Sequence, residues 1–299
     1  MSTQQRVAIV TGGGRGIGRA IVLGLLRAGF AVAAVDRDRA PLDELAAEAD
    51  GRAALLALPA DISTAEACAN VVATVRERLG PVAVLVNNAG IGQGSIRQDN
   101  WTKPIRFWEV SPQDWRRFAA VNAEAIHALS RAAVADMLER RWGRIINVTT
   151  SLGTMLRGGY VPYGPTKASA EALTGVMAED LAGTGVTANV LVPGGVTNTA
   201  LVPDAAGFDR DAMLQPAIMV PPLLWLVSDA ADAVNGRRFL AAHWNANLPL
   251  EQAAEQAGAP VGWKSIATLP IVPRRRWPSP CRIRRNPPPA PWPASVSST

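Results

Sequence analysis

The sequence contains few of the residues from which disulfide frameworks, metal sites and histidine-dependent triads are built. Its 299 residues include two cysteines, Cys68 and Cys281, and two histidines, His127 and His243. Two cysteines are too few for a disulfide framework, which indicates a reducing, cytoplasmic setting. Because the histidines do not cluster, we predict neither a metal site nor a nucleophilic triad.

Long apolar runs are also absent. Glycine, proline or a charged residue interrupts each apolar run well short of a membrane span. The stretch Met1–Arg6 has no basic flank followed by an apolar region, as a secretory leader would have. We therefore predict no association with membranes.

Acidic residues are missing after Glu255, whereas Lys264 and six arginines follow it. Residues 1–255 hold 23 basic and 25 acidic groups, so the net charge of +5 comes from the C-terminal segment. The main body thus lacks the basic surface that nucleic acid binding needs. Residues 261–299 contain nine prolines and no acid, and we predict a disordered tail there. The alternatives for the tail are an anion-binding Arg274–Trp277 and a polyproline ligand at Pro287–Pro293.

A glycine-rich turn near the N-terminus predicts a dinucleotide site. The β-branched run Arg6–Val10 is typical of a buried strand, and Thr11–Gly18 joins it to the helical pattern Arg19–Ala28. Glycines let the backbone approach a pyrophosphate, and a helix N-terminus favours negative charge. The candidate contacts in this turn are Gly12, Arg15, Gly16, Ile17 and Gly18.

An acidic residue follows the second strand. The run Ala31–Val35 ends at Asp36, where a carboxylate can bind the adenosine ribose hydroxyls and would repel a 2′-phosphate. We therefore predict NAD in preference to NADP. Arginines favour NADP instead, because a guanidinium can clamp a phosphate. These arginines are Arg15, Arg37 and Arg39.

Strand patterns continue to alternate with helical patterns along the chain. Further strands are predicted at Ala53–Leu58, Val82–Val86, Arg144–Thr149, Thr187–Val192 and Arg237–Ala242, and a long helix at Pro112–Arg140. The alternation predicts an α/β fold, a doubly wound parallel sheet (Rossmann-like), in a single domain of residues 1–260. Ligands of such sheets bind at the carboxyl ends of the strands.

Tyr163 and Lys167 are four residues apart, so on a helix they share one face. A free tyrosine has a pKa of roughly 10 and is a poor base at neutral pH. A neighbouring ammonium favours the phenolate and lowers that pKa, which suits proton transfer to and from an alcohol. A purely structural pair on a helix surface is the alternative interpretation.

With these features in order, the sequence resembles the short-chain dehydrogenases/reductases over roughly residues 5 to 240. The resemblance rests on the following motifs: Thr11–Gly18, Asp61, Asn87–Gly90, Asn122, Thr150, Tyr163–Lys167 and Pro193–Val196. It implies that Tyr163 is the general acid/base and that Lys167 lowers its pKa and holds the nicotinamide ribose. It further implies that Thr150 orients the substrate oxygen, and that Asn122 holds a water through a local break in its helix. The implied cofactor contacts are Asp61, Ile62, Asn88, Ala89, Gly90, Pro193, Gly194 and Val196.

The sequence departs from the family pattern at three places. Thr150 stands where the family usually has serine, with Ser151 next to it, and Asn198 stands where the family often has threonine. The family's Val-Asp-Gly-Gly ending is missing, although we still expect a homo-oligomer, a dimer or tetramer. The segment 200–227 is apolar, which favours an apolar substrate, but core packing explains it equally well.

Three functions are therefore considered. The first is an NAD(P)-dependent oxidoreductase that acts on a secondary alcohol or ketone of a small, apolar molecule. The second keeps the dinucleotide site without turnover, as a sensor or scaffold. The third is a nucleic-acid or membrane-surface binder that works through the arginine-rich tail.

Overall fold

In the computed structural model, which describes residues 5–49 and 54–263, the strands form a single sheet. The strands of this described part are β1 (Val7–Thr11), β2 (Ala31–Asp36), β3 (Leu55–Pro59), β4 (Val82–Asn87), β5 (Gly143–Val148), β6 (Val186–Val192), β7 (Arg237–Leu240) and β8 (Gly258–Pro260). Their order in the sheet is β3-β2-β1-β4-β5-β6-β7-β8. The pairs are parallel except β7 with β8, which is antiparallel. This arrangement confirms the predicted doubly wound sheet.

Helices cover both faces of the sheet. They are α1 (Gly16–Arg27), α2 (Arg39–Ala49), α3 (Ala65–Arg78), α4 (Pro112–Ala119), α5 (Ala125–Glu139), the one-turn α6 (Leu152–Met155), α7 (Tyr163–Asp180), α8 (Val220–Leu226) and α9 (Leu250–Ala257). One apolar core lies under α1, α2, α8 and α9, and the other lies under α3 and α5. Central strands such as β1 and β4 are buried on both faces, which explains their continuous apolar sequences.

The predicted long helix Pro112–Arg140 is not one continuous α-helix. A π-helical segment, Ala120–Glu124, separates α4 from α5, and it contains Asn122. Periodicity in the sequence does not distinguish such a segment from a regular turn, because one wide turn hardly changes which residues face the core. The irregularity lies at the position where the family resemblance implies a break.

The C-terminal part of the fold differs from the sequence prediction. The last parallel strand ends at Leu240, and α9 then leads into the short antiparallel strand β8. Val261, one residue past the predicted domain boundary, is buried. Strand β8 reads Gly-Ala-Pro and has no β-branched residue, so it carries no local strand signal. Of the tail predicted to be disordered, residues 261–299, the part from 264 onward lies outside the described residues.

A helix that spans a membrane must be long and apolar. Across residues 5–49 and 54–263, none of the helices is long and apolar enough to span a bilayer.

Candidate active site

The glycine-rich turn and the turn after β4 are joined directly. The Thr11 hydroxyl accepts hydrogen bonds from the backbone N–H groups of Asn88 and Ala89, both at 3.1 Å. The Asn88 side chain donates to the Thr11 carbonyl at 2.9 Å and to that of Gly12 at 3.3 Å. The carboxyl ends of β1 and β4 are therefore fixed to one another.

The turn itself needs glycine at two kinds of position. Gly12 and Gly16 have φ of +62° and +52°, which a side chain would strain. At Gly18 a Cβ would lie 1.9 Å from the Gly12 carbonyl oxygen, so α1 packs on the turn only without a side chain there. Among the described residues no side chain caps the N-terminus of α1. Ile17 lies in the first turn of that helix and is half-buried.

Asp36 lies at the end of β2 and faces the same turn. Its carboxylate accepts the Gly14 N–H at 3.1 Å and the Asp38 N–H at 3.2 Å. Arg15 is ion-paired with Asp38, and Arg37 reaches the same carboxylate at 3.5 Å. The hydrogen bond from Arg15 holds the pKa of Asp38 below its ordinary value. One acid therefore faces the turn while a second neutralises the nearby arginines.

Tyr163 is the first residue of α7, and Lys167 lies one turn further on. The Lys167 side chain is buried, and its Nζ donates to the Val148 carbonyl at the end of β5, at 2.9 Å. A Cβ built on Gly90 would lie 3.2 Å from the Asn122 Oδ1 and 3.3 Å from the Lys167 Nζ. The loop after β4 thus contacts the glycine-rich turn on one side and Lys167 on the other.

Asn122 is fully buried, and its side-chain amide is engaged by the protein. Its Oδ1 accepts the Ile91 N–H at 2.9 Å, and its Nδ2 donates to the Ile91 carbonyl at 3.0 Å and the Thr166 hydroxyl at 3.2 Å. The side chain therefore braces the loop after β4 against α7. A water would have to be held by the backbone of the π-helical segment, where the regular carbonyl pairing is interrupted.

Of the two hydroxyls after β5, Thr150 is the one that meets the phenol. Its hydroxyl lies near the phenol, where it lowers the pKa of Tyr163. Ser151 instead caps α6, accepting the Thr154 N–H at 3.2 Å and lying 2.7 Å from the Thr154 hydroxyl. Thr150 is thus available to a substrate oxygen, whereas the Ser151 hydroxyl is occupied.

The electrostatics of the pair differ from the sequence prediction that Lys167 lowers the pKa of Tyr163. Burial raises the pKa of Tyr163 to about 12, while the hydrogen bond from Thr150 lowers it and the nearby Tyr160 raises it further. The Lys167 Nζ lies 6.0 Å from the centre of the Tyr163 ring and is turned toward Val148. Burial also lowers the pKa of Lys167, to about 8. Desolvation, which the sequence does not reveal, exceeds the attraction between the two groups.

The other predicted cofactor contacts lie around this edge. The Asp61 carboxylate accepts the Ser63 N–H at 2.9 Å in the turn after β3, and Ile62 beside it is buried. After β6, the Pro193 carbonyl accepts the Ala242 N–H at 2.9 Å and the Val196 carbonyl accepts the Leu214 N–H at 3.0 Å. Gly194 has φ of +97°. Ile62 packs in the apolar core, whereas the other residues shape turns at the carboxyl edge.

Asn198 and Arg210 organise the segment after β6, and the sequence analysis did not single out Arg210. The Asn198 side chain is bonded to Gln215 and to Arg210, at 3.2 and 3.3 Å. Arg210 also donates to the carbonyls of Thr199 and Val202, at 3.1 and 2.8 Å. A Cβ on Gly16 would lie 3.0 Å from the Thr199 methyl carbon. Arg210 therefore holds this segment across the start of α1.

An aromatic cluster that includes Tyr160 joins three loops. The Trp101 ring meets the Phe208 ring edge-on at 4.9 Å and the Tyr160 ring at 6.3 Å, measured between ring centres. The three residues come from the connection after β4, the turn before α7 and the segment after β6. Tyr160 is also close enough to Tyr163 to affect its pKa.

In the described part of the chain, no group of three acidic, histidine or cysteine residues could hold a metal ion.

Comparison with known proteins places these features in context. A family model described as short chain dehydrogenase matches residues 6–206. An acetoacetyl-CoA reductase of Rhizobium meliloti (strain 1021) is 34% identical over 175 residues, covering 58% of this chain and 67% of that protein. A fluoren-9-ol dehydrogenase of Terrabacter sp. (strain DBF63) is 30% identical over 257 residues, covering 80% of this chain and 71% of that protein.

A solved structure from Beutenbergia cavernae has a similar fold. It is assigned as an NAD(P)-dependent gluconate 5-dehydrogenase and holds NADP at low occupancy. The two chains are 35% identical with a TM-score of 0.68, over 80% of this chain and 95% of that one.

We expect Gly18→Ala to abolish dinucleotide binding, because the new Cβ would overlap the Gly12 carbonyl oxygen and displace the turn from α1. Titration of the protein with NADH, followed by its fluorescence, measures the dissociation constant. The matched control is Gly175→Ala in α7, where a Cβ would meet only Val261 at 3.4 Å. Equal NADH affinity in the two variants would contradict the assignment of the turn as the diphosphate site.

Lys167→Met tests the burial of the ammonium. The folded pKa of about 8 lies below the ordinary 10.5, so the unfolded chain binds this proton more tightly. Wild-type stability should therefore rise between pH 8 and pH 10.5, by roughly 1.4 kcal/mol per pKa unit of difference. We expect the free energy of unfolding of the variant to exceed that of the wild type by on the order of 3 kcal/mol at pH 7, and by less at pH 10.

Urea unfolding of both proteins at the two pH values measures this difference. Lys103→Met is the control, because the Lys103 side chain is 73% exposed. A stability difference for Lys167→Met that does not change with pH would show that the ammonium is not desolvated in the folded protein.

Proposed function

This chain belongs to the short chain dehydrogenase family, and on that premise we propose that it oxidises a secondary alcohol or reduces a ketone of a small, apolar molecule. Membership makes it an NAD(P)-dependent oxidoreductase. The observation that carries the finer proposal is the position of the Asn88–Gly90 loop. This loop is bonded to the glycine-rich turn through Asn88 and packs on Lys167 through Gly90.

Two features of the chain fit a dinucleotide. The N-terminus of α1 carries no side-chain cap among the described residues, and Gly18 lets α1 pack directly on the glycine-rich turn. Asp36 would bind the adenosine ribose, and Lys167 the nicotinamide ribose. When bound, the nicotinamide supplies the hydride donor or acceptor. The protein then has to orient the substrate and move one proton.

The proton transfer falls to Tyr163. In reduction its phenol donates a proton to the carbonyl oxygen, and in oxidation its phenolate accepts the proton of the alcohol. The Thr150 hydroxyl, which lies near enough to the phenol to lower its pKa, would share the substrate oxygen and fix its position. Asn122 keeps the loop after β4 in place against α7. Each of these roles is part of the proposal.

An apolar substrate is supported by the aromatic cluster of Trp101, Tyr160 and Phe208 beside the phenol. Edge-on aromatic walls accept flat, apolar molecules well. The similarity to a fluoren-9-ol dehydrogenase is in keeping with such a substrate. Small-molecule turnover, a homo-oligomeric state and a cytoplasmic location stay predictions from the sequence.

The second candidate is a dinucleotide-binding sensor or scaffold without turnover. Two departures favour it: a threonine at the serine position and the engagement of Asn198 by Arg210 and Gln215. Cofactor binding without turnover across a broad panel of alcohols and ketones would support this candidate over the enzyme.

We expect Tyr163→Phe to lower turnover by at least about 100-fold while NADH binding is kept, because only the proton donor is lost. Absorbance at 340 nm, with a panel of secondary alcohols that includes fused aromatic ones, measures the rate. Thr150→Ser keeps the hydroxyl and should stay active, whereas Thr150→Ala should not. A Tyr163→Phe protein with wild-type turnover would exclude the phenol as the acid/base.

For the cofactor we propose NAD, because the Asp36 carboxylate faces the turn and would repel a 2′-phosphate. The NADP in the similar structure and the nearby Arg15 argue for NADP. We expect the ratio of kcat/KM for NAD over NADP to exceed one and to fall at least about tenfold in Asp36→Ala. Asp43→Ala is the control, since its carboxylate lies 3.9 Å from Arg39 on the exposed face of α2. A wild-type ratio below one would refute the NAD preference.

A further inference from the structure

A fully enclosed ion pair lies behind the candidate site. The Arg238 Nε of β7 donates to the Glu171 Oε1 of α7 at 2.9 Å, and the two side chains are 7% and 0% exposed. Removing two charges from water is costly, and such a pair is a poor source of stability compared with apolar packing. The other hydrogen bonds of Arg238 and Glu171 therefore indicate a role for this pair other than stabilising the fold.

Both members of the pair bind the same short segment after β5. Arg238 donates through Nη2 to the Thr150 carbonyl at 3.1 Å. Glu171 accepts the Thr149 hydroxyl through Oε2 at 2.8 Å. The Glu171 carboxylate also accepts the Gly262 N–H at 3.0 Å, so its hydrogen bonds come from three directions. A network in which every member is paired is rigid.

This network ties Thr150 to the helix that carries the phenol. Glu171 lies one turn after Lys167 and two turns after Tyr163 on α7, so the three residues share a face. On the other side, Ser151 is held by its cap on α6. Hydrogen bonds therefore hold the Thr149 side chain, the Thr150 carbonyl and the Ser151 side chain. The backbone at Thr150 is thus fixed, and with it the direction in which the Thr150 side chain extends.

We propose that Arg238 and Glu171 are positioning residues, which hold the Thr150 carbonyl so that the Thr150 hydroxyl meets the phenol and the substrate oxygen. This inference rests on the proposed function for its catalytic consequence. Displacement of a catalytic group by about 1 Å can lower the rate about 100-fold, so the anchor matters even though neither charged group touches substrate.

A double-mutant cycle tests the proposal. We expect Arg238→Met to lower kcat about 10- to 100-fold and to change the NADH dissociation constant less than about threefold. In the Thr150→Ala background the carbonyl remains but the hydroxyl is gone. There, Arg238→Met should lower kcat less than about threefold, because no hydroxyl is left to position. Equal losses in both backgrounds would overturn the proposal.

Two further variants separate positioning from loss of folding. Breaking a buried pair on one side is destabilising, whereas replacing both members with apolar residues is often neutral. The combined variant Glu171→Leu, Arg238→Met should therefore fold and still be slow. Arg144→Met is the matched control, since Arg144, at the start of β5, is also a buried arginine and is paired with Asp232. Arg144→Met should lower the free energy of unfolding and leave kcat unchanged.

A readout that needs no turnover completes the test. The chain has two tyrosines, so ¹³C-tyrosine labelling gives two ring signals, which Tyr163→Phe assigns. We expect Arg238→Met and Thr150→Ala to move the Tyr163 signal alike, and Arg144→Met to leave it in place. An unmoved Tyr163 signal in Arg238→Met overturns the proposal even if the wild type turns over no substrate. Failure of the proposed function would instead appear as absent wild-type turnover with these shifts intact.

Discussion

A single buried ammonium sets the geometry of this site. Lys167 reaches from α7 to the Val148 carbonyl of β5, and its Nζ packs against Gly90 after β4. The charge is desolvated and bonded to a carbonyl, so it lowers the stability of the fold at neutral pH. Lys167 holds α7, which carries Tyr163, against the loop after β4 and the end of β5. Buried groups with shifted pKa values are common at functional sites.

The same burial acts on Tyr163. Desolvation raises the pKa of the phenol to about 12, so loss of the proton is harder here than from an ordinary tyrosine. The hydrogen bond from Thr150 favours the phenolate and works against burial. Reduction of a ketone starts from the neutral phenol, whereas oxidation of an alcohol starts from the phenolate.

The sequence allows the fold to be predicted wherever the signals are local. The glycine-rich turn, Asp36 at the end of β2, and the spacing of Tyr163 and Lys167 are short patterns with a direct physical meaning. The effect of burial on the Tyr163 pKa could not be predicted from the sequence, since burial is a property of the assembled fold. The pair of Glu171 and Arg238 lies 67 residues apart in sequence and has no local signal. Arg210 also has no recognisable signal, because its side chain binds four groups of an irregular loop that follows no periodic pattern.

The unusual C-terminal part of the domain bears on assembly as well as on the site. Strand β8 covers the edge of β7, has only three residues and ends at Pro260. At the opposite edge β3 ends at Pro59. Proline and short length make an edge strand a poor template for pairing with another chain. Neither edge strand is therefore suited to extending the sheet into another chain. The β8 end instead turns inward, where Gly262 joins the carboxylate that anchors Thr150.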